Sequence, residues 1–211
     1  SDYISLASRP ITSTGSFSVF AWIKTSATGA RKEIFTTGTG SANNDALYLF
    51  VNTSNYIEAD VTNSAGPTSA VTVTDGNWHY VGIVNTSGTF QIYVDGKASG
   101  STSAKTPNLG TTATIIGRSL TAAYYFKGNI DEVHVYNTAL SASTIARNYI
   151  LGSSSSSVFS NKPGGIKMEG TNSKRLSNGL VDGLVGYWNM NEASGTSVAD
   201  LAYGQTGTAT N

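Results

Sequence analysis

The chain has 211 residues, of which 39% are hydrophobic, 10% aromatic and only 12% charged. Basic and acidic residues number 13 each, so no net charge is available to recruit phosphate backbones, which argues against nucleic-acid binding. With no cysteine at all, disulfides, thiolate metal sites and cysteine nucleophiles are excluded together. A weakly charged surface rich in Ser, Thr, Gly and Asn suits a secreted or cell-surface β protein of prokaryotic origin. No stretch approaches the roughly 20 apolar residues of a membrane span. No leader is legible either, so the chain reads as a mature or trimmed form.

Residues 1–6 (SDYISL) enter a strand at once. Residues 16–24 (SFSVFAWIK) place Phe17, Val19, Ala21 and Ile23 on one face and Phe20 and Trp22 on the other, as a strand buried on both sides or beside a covered groove would. Short strands follow at 32–36, 46–52 (ALYLFVN) and 56–61, then at 78–85 (WHYVGIVN) and 89–94 (TFQIYV). Asp95-Gly96 behind Val94 is a two-residue hairpin signal, because a type I′ turn needs positive φ at both positions. Residues 114–116 and 130–136 (IDEVHVY) complete the series. Strands recurring at this spacing with Gly, Asn, Asp and Ser between them predict an all-β, two-sheet antiparallel sandwich.

The spacing predicts one helix over residues 141–151, with Ser141 as its cap, Gly152 as its stop, and Ile145, Tyr149 and Ile150 on its packed face. The sandwich body therefore spans residues 1–152. Five serines at 153–157 open a Ser/Gly-rich flexible linker, residues 153–182, with a short strand at 165–169. Residues 183–211 form a tail whose first strand, 184–190 (LVGYWNM), is too apolar to remain in water.

Laid out in order, the segments SDYISL, SFSVFAWI, DGNWHYVGI, QIYVDGK, IGR and FKGNIDEVHVYNTAL, followed by the 141–149 helix, resemble the laminin-G-like, concanavalin A-like sandwich family. The resemblance implies a jelly roll. It also implies that residues 183–211 correspond to the segment that opens such domains, here displaced to the C-terminal side. The tail then completes a sandwich, its own or that of a neighbouring copy. Leu184, Val185, Tyr187, Trp188 and Met190 are the residues expected to insert.

For chemistry, Asp131 and Glu132 are adjacent in a strand and do not form the same-face carboxylate pair of a glycosidase, so the chain is not expected to be an enzyme. His79 and His134 read as satisfied sheet residues, and Trp22, Trp78 and Trp188 as core aromatics. The family resemblance implies a structural Ca²⁺ held through Asp131 and Asp200, since this hard cation takes oxygen ligands. A loop carrying Tyr124, Tyr125 and Phe126, with Asn43, Asn44 and Asp45 at another loop tip, offers a glycan-facing rim. Two functions follow. One is a structural or adhesive subunit that donates its tail head-to-tail to further copies of itself, building a filament or surface array. The alternative is a monomeric carbohydrate-binding module of a larger cell-surface protein.

Overall fold

The computed structural model describes residues 2–11, 15–39, 45–61, 64–109, 113–153, 159–160, 165–166, 182–192 and 195–210. The body contains β1 (Tyr3–Leu6), β2 (Phe17–Lys24), β3 (Lys32–Gly38), β4 (Ala46–Val51), β5 (Tyr56–Val61) and β6 (Ser64–Thr72). These are followed by β7 (Trp78–Thr86), β8 (Thr89–Val94), β9 (Lys97–Ala104), β10 (Ala113–Ile116), β11 (Asn129–Tyr136) and α1 (Ala142–Ser153). A two-residue hairpin, β12 (Phe159–Ser160) and β13 (Gly165–Ile166), precedes β14 (Leu184–Trp188), β15 (Ser197–Val198) and β16 (Gly207–Thr210). Most of the expected linker lies outside the described residues.

Apart from the separate β12–β13 pair, the strands assemble two antiparallel sheets, as the sequence pattern predicts. One has eight strands in the order β15-β16-β1-β10-β3-β4-β5-β6, and the other six in the order β14-β11-β2-β7-β8-β9. Between them lies the main core, which takes Leu47, Leu49 and Val51 from β4 and Ile57, Ala59 and Val61 from β5. Because side chains alternate along a strand, Tyr48, Phe50, Glu58 and Asp60 are turned to the outer face of the larger sheet. That outer face carries the site described below.

β2 is buried along Phe17–Ile23, and its two faces serve two cores. Phe17, Val19, Ala21 and Ile23 enter the main core, while Phe20 and Trp22 join a second cluster on the outer face of the smaller sheet. That second cluster includes Tyr80, Tyr136, Leu184 and Tyr187, and α1 roofs it through Ile145. Ser141 caps α1 by accepting a bond from the Thr144 amide at 3.2 Å. Two details differ from the sequence expectation. Ile150 is 59% exposed rather than packed. Gly152 lies inside the helix rather than stopping it, and its lack of a side chain lets the helix pass the Trp22 indole, which a Cβ would meet at 2.7 Å.

The Asp95-Gly96 turn forms as predicted, with φ of 50° and 79°. β6 and β9 were not legible in the sequence. Both are dominated by small and polar residues, and β6 contains Gly66 and Pro67. They meet at the edge of the sandwich remote from the tail, where the Ala70 amide bonds to Ser99 Oγ at 2.9 Å.

The tail occupies the other edge of both sheets, within its own chain. β14 pairs with β11, setting Trp188 opposite Val133 and Tyr187 opposite His134. β16 pairs with β1, from Tyr3↔Thr210 to Leu6↔Gly207. Leu184, Tyr187 and Trp188 are buried, whereas Val185 and Met190 are half-buried and pack against the main core. Each fully buried side chain of this size is worth about 1.5–3 kcal/mol. Tail docking is therefore a large part of the ~5–15 kcal/mol that holds a domain folded.

Candidate functional site

Arg31, immediately before β3, lies on the outer face of the eight-stranded sheet. Its guanidinium sits 3.5 Å from the Phe50 ring centroid, with Tyr48 at 5.2 Å and Tyr124 at 5.4 Å. Nη2 donates to Glu33 Oε1 at 2.8 Å, Nε to the same carboxylate at 3.2 Å, and Nη1 to Asp60 Oδ2 at 2.8 Å. The pattern follows from strand alternation. Glu33 lies opposite Phe50 and Asp60 opposite Tyr48, so a cation, two acids and two aromatic rings fall on one face.

The remaining wall is the loop 118–125. Arg118 and Tyr125 form an isolated bridge, and the Ser119 amide donates to the Tyr124 carbonyl at 2.9 Å. Ser119 Oγ accepts from the amides of Ala123 and Tyr124 at 3.2 and 3.1 Å. Thr36 Oγ1 ties the loop to β3 by donating to the Arg118 carbonyl at 3.1 Å. The pinned loop holds Tyr124 out, 45% exposed, over Arg31. These groups, with Ser119 and Thr121, line an open groove of about 450 Å³.

Charges in the groove are balanced internally. Burial opposes the Arg31 cation, but its bonds to Glu33 and Asp60 prevail and raise its pKa. Glu33 is fully buried, and desolvation pushes it up to about 7 against the pull of Arg31. Burial also raises the Tyr48 phenol, with Glu33 adding to the effect, so the phenol remains a neutral hydrogen-bonding group.

The sequence-predicted residues are distributed unevenly around this groove. Tyr124 is part of it. Tyr125 faces the other way, into an apolar cleft of about 740 Å³ between body and tail, where it packs edge-on against Tyr3 with centroids 6.5 Å apart. Asp45 stands half-buried at the start of β4, outside the groove lining. Asn43 and Asn44 lie outside the described residues. Sequence reasoning passed over Arg31, Glu33, Tyr48 and Asp60. The signal available was the alternation in 46–51 and 56–61, which turns Tyr48 and Asp60 away from the core.

Asp131 and Asp200 serve the backbone here. Asp131 Oδ1 accepts from the Glu132 amide at 2.9 Å, at a bulge in β11 where Glu132 has φ 51°. Asp200 accepts four amides: Tyr187 and Ala202 on Oδ1, both at 2.9 Å, and Gln205 and Tyr203 on Oδ2 at 3.0 and 3.3 Å. N–H groups thus point at both oxygens of Asp200, where a Ca²⁺ ligand would have to face its cation. Among the described residues no cluster of three or more His, Asp or Glu could hold a metal ion. The donor set at Asp200 therefore does not fit calcium. Asp200 instead organises the turn between β15 and β16 and ties it to β14 through the Tyr187 amide.

The two histidines differ. His79 is satisfied, with Nδ1 2.8 Å from Asp95 and Nε2 3.0 Å from Asp75, and these partners, Asp95 foremost, raise its pKa despite burial. His134 is a correction to the sequence reading. It is buried and stacked on Tyr187 at 4.5 Å, and neither ring nitrogen has a hydrogen-bond partner. Desolvation lowers it to about 4. Beside it, Tyr187 Oη donates to Glu132 Oε2 at 2.6 Å, and burial pushes Glu132 up to about 8.

Sheet order, register and the packed helix place the chain among jelly-roll sandwiches, and comparison with known proteins gives the family. The chain belongs to the concanavalin A-like lectin/glucanases superfamily, whose laminin-G-like model matches residues 1–146. The tail lies outside that match although it completes both sheets. No curated protein matches the chain.

Among solved structures, a candidate carbohydrate binding protein from Bacteroides ovatus is similar at 18% identity and TM-score 0.69. The alignment covers 100% of this chain and 56% of that one, so this chain spans little more than half of its length. The CBM40 of a Ruminococcus gnavus IT-sialidase is similar at 15% identity and TM-score 0.53, over 64% of this chain and 83% of that one. Domain 4 of an extracellular arabinanase from Geobacillus stearothermophilus, solved with arabinotriose, is similar at 16% identity and TM-score 0.51, over 64% and 67%. At these identities the likeness is one of fold. No helix among the described residues is long and apolar enough to cross a membrane.

Proposed function

We propose that this chain is a non-catalytic, extracellular carbohydrate-binding module that takes its ligand in the Arg31–Asp60–Tyr124 groove. The observation that carries the reading is an exposed aromatic ring held over a fixed donor–acceptor array on an otherwise weakly charged surface. The family and the carbohydrate-related names of similar structures support it. A non-catalytic role is supported by Glu33, which is fully buried and engaged by Arg31. Only Asp60 is left as a partly accessible carboxylate among the described lining residues, where glycoside hydrolysis needs two.

Affinity electrophoresis through gels cast with different polysaccharides tests this reading. Retardation of the wild type, strongly reduced by Tyr124→Ala without loss of folding, and no release of reducing sugar, is the expected result. Unchanged retardation of the variant would place binding elsewhere, and sugar release would make the chain an enzyme.

Strand donation between copies is the second reading. The observation on its side is that β14 and β11 are separated by the long 137–183 connection, so the same ladder could close between chains. Light scattering on size-fractionated protein decides: a 22.0 kDa species throughout the micromolar range removes it.

A further inference from the structure

Resting on the reading of the groove as a glycan site, we propose that it selects uncharged sugars, gripped through two adjacent hydroxyls, and discriminates against acidic glycans. An anionic sugar is best held by the planar fork of an arginine, with two parallel bonds to one carboxylate. Here the Nε/Nη2 edge of that fork is already in use on Glu33 and Nη1 is drawn to Asp60. Three of the five N–H donors of a guanidinium are thus engaged.

Arg31 is also the one cation among the described residues lining the groove, and it faces Asp60 and Glu33 together. A ligand carboxylate bonded to a remaining Arg31 N–H would come close to the Asp60 carboxylate, which holds the same guanidinium at 2.8 Å.

The same arrangement suits a diol. Asp60 uses Oδ2 on Arg31, and among the described residues Oδ1 accepts no bond. One free Arg31 N–H beside one free carboxylate oxygen can donate to one hydroxyl and accept from its neighbour. Uncharged sugars supply such hydroxyls on adjacent carbons. Tyr124 adds an exposed ring for the C–H face of the sugar, and Ser119 and Thr121 place hydroxyls at the rim. The partners already in place hold Arg31 in one orientation before the ligand arrives, which lowers the ordering cost of binding.

The test compares neutral and acidic glycans on the full chain at pH 7: galactotriose against trigalacturonate, which differ only in the C6 groups, then lactose against 3′-sialyllactose, which adds an acidic sugar, within a wider array. The expected result is binding of neutral members, with each acidic counterpart weaker by about tenfold or more. Asp60→Asn should weaken neutral ligands about tenfold and narrow the neutral-to-acidic ratio, because it removes the repelling charge and one acceptor.

Acidic members binding as tightly as their neutral partners, with loss in Tyr124→Ala, would overturn this selectivity and leave the glycan-site reading intact. No array member binding would overturn both. If Asp60→Asn unfolds, Thr121→Asp carries the test by adding charge at the rim, and should deepen the discrimination.

Discussion

The outer faces of the two sheets make opposite use of similar residues. On the eight-stranded sheet, Tyr48, Phe50 and Tyr124 surround Arg31, Glu33 and Asp60, and nothing among the described residues roofs them. On the six-stranded sheet, Phe20, Trp22, Tyr80, Tyr136 and Tyr187 surround Glu132 and His134, and α1 closes the top. The first buried carboxyl is paired with a cation at the floor of a groove, and the second with a phenol under a helix. The lesson is that aromatic rings with buried acids do not define a site by themselves. Access and an unfilled donor–acceptor pair do.

The largest expected effects lie on the roofed side and its tail. Trp188→Ala should cost about 3–5 kcal/mol in urea unfolding, because the indole fills the main core and its Nε1 donates to the Gln205 carbonyl. Assembly into large species that vanishes with this variant would instead point to strand donation. Ile145→Ala, which opens the roof over Trp22 and Tyr80, should cost about 2–5 kcal/mol, while its exposed neighbour Ile150→Ser should stay within about 0.5 kcal/mol. Equal losses at 145 and 150 would refute the observed roof geometry.

A pH titration of stability sharpens the comparison further. Glu132 is raised to about 8, so its favourable contribution is complete below the ordinary 4.5 and is lost as pH rises through 8. His134 is lowered to about 4, so its contribution is complete above 6.5 and is lost as pH falls through 4. Glu132→Gln should therefore flatten the fall in unfolding free energy between pH 6 and pH 8, a slope of up to about 1.4 kcal/mol per pH unit for one proton. Identical slopes in wild type and variant would show that Glu132 is ionised in the fold.

On the open side, Tyr124→Ala should leave thermal stability nearly unchanged, within about 0.5 kcal/mol, and weaken glycan binding about tenfold. The effect on folding is small and the effect on binding large. A Tyr124 variant that unfolds instead would mean that the ring supports the loop rather than a ligand.

Period-two alternation and the Asp95-Gly96 turn made β2, β4, β5, β7, β8 and β11 legible, because buried apolar residues and positive-φ turns impose local requirements that the chain itself displays. Alternation likewise marks β2 as facing two apolar layers, which Phe20 and Trp22 confirm by entering the second core. β6 and β9 escaped because pairing with neighbouring strands, not side-chain pattern, makes them strands. The groove was half-legible: Tyr124 stood out as an exposed aromatic, but Arg31, Glu33 and Asp60 are unremarkable until the strand register sets them side by side.

What the sequence alone determined was the class of fold, the place of the helix, and that the 184–190 strand had to be buried, since each follows from local periodicity, capping and the aversion of apolar groups for water. Only the tertiary structure decided which sheet edges the tail completes, that Asp200 closes a turn, and which of two adjacent tyrosines faces a polar groove. Those outcomes depend on register and on which backbone groups reach a given oxygen. Both are set by contacts between residues far apart in the chain.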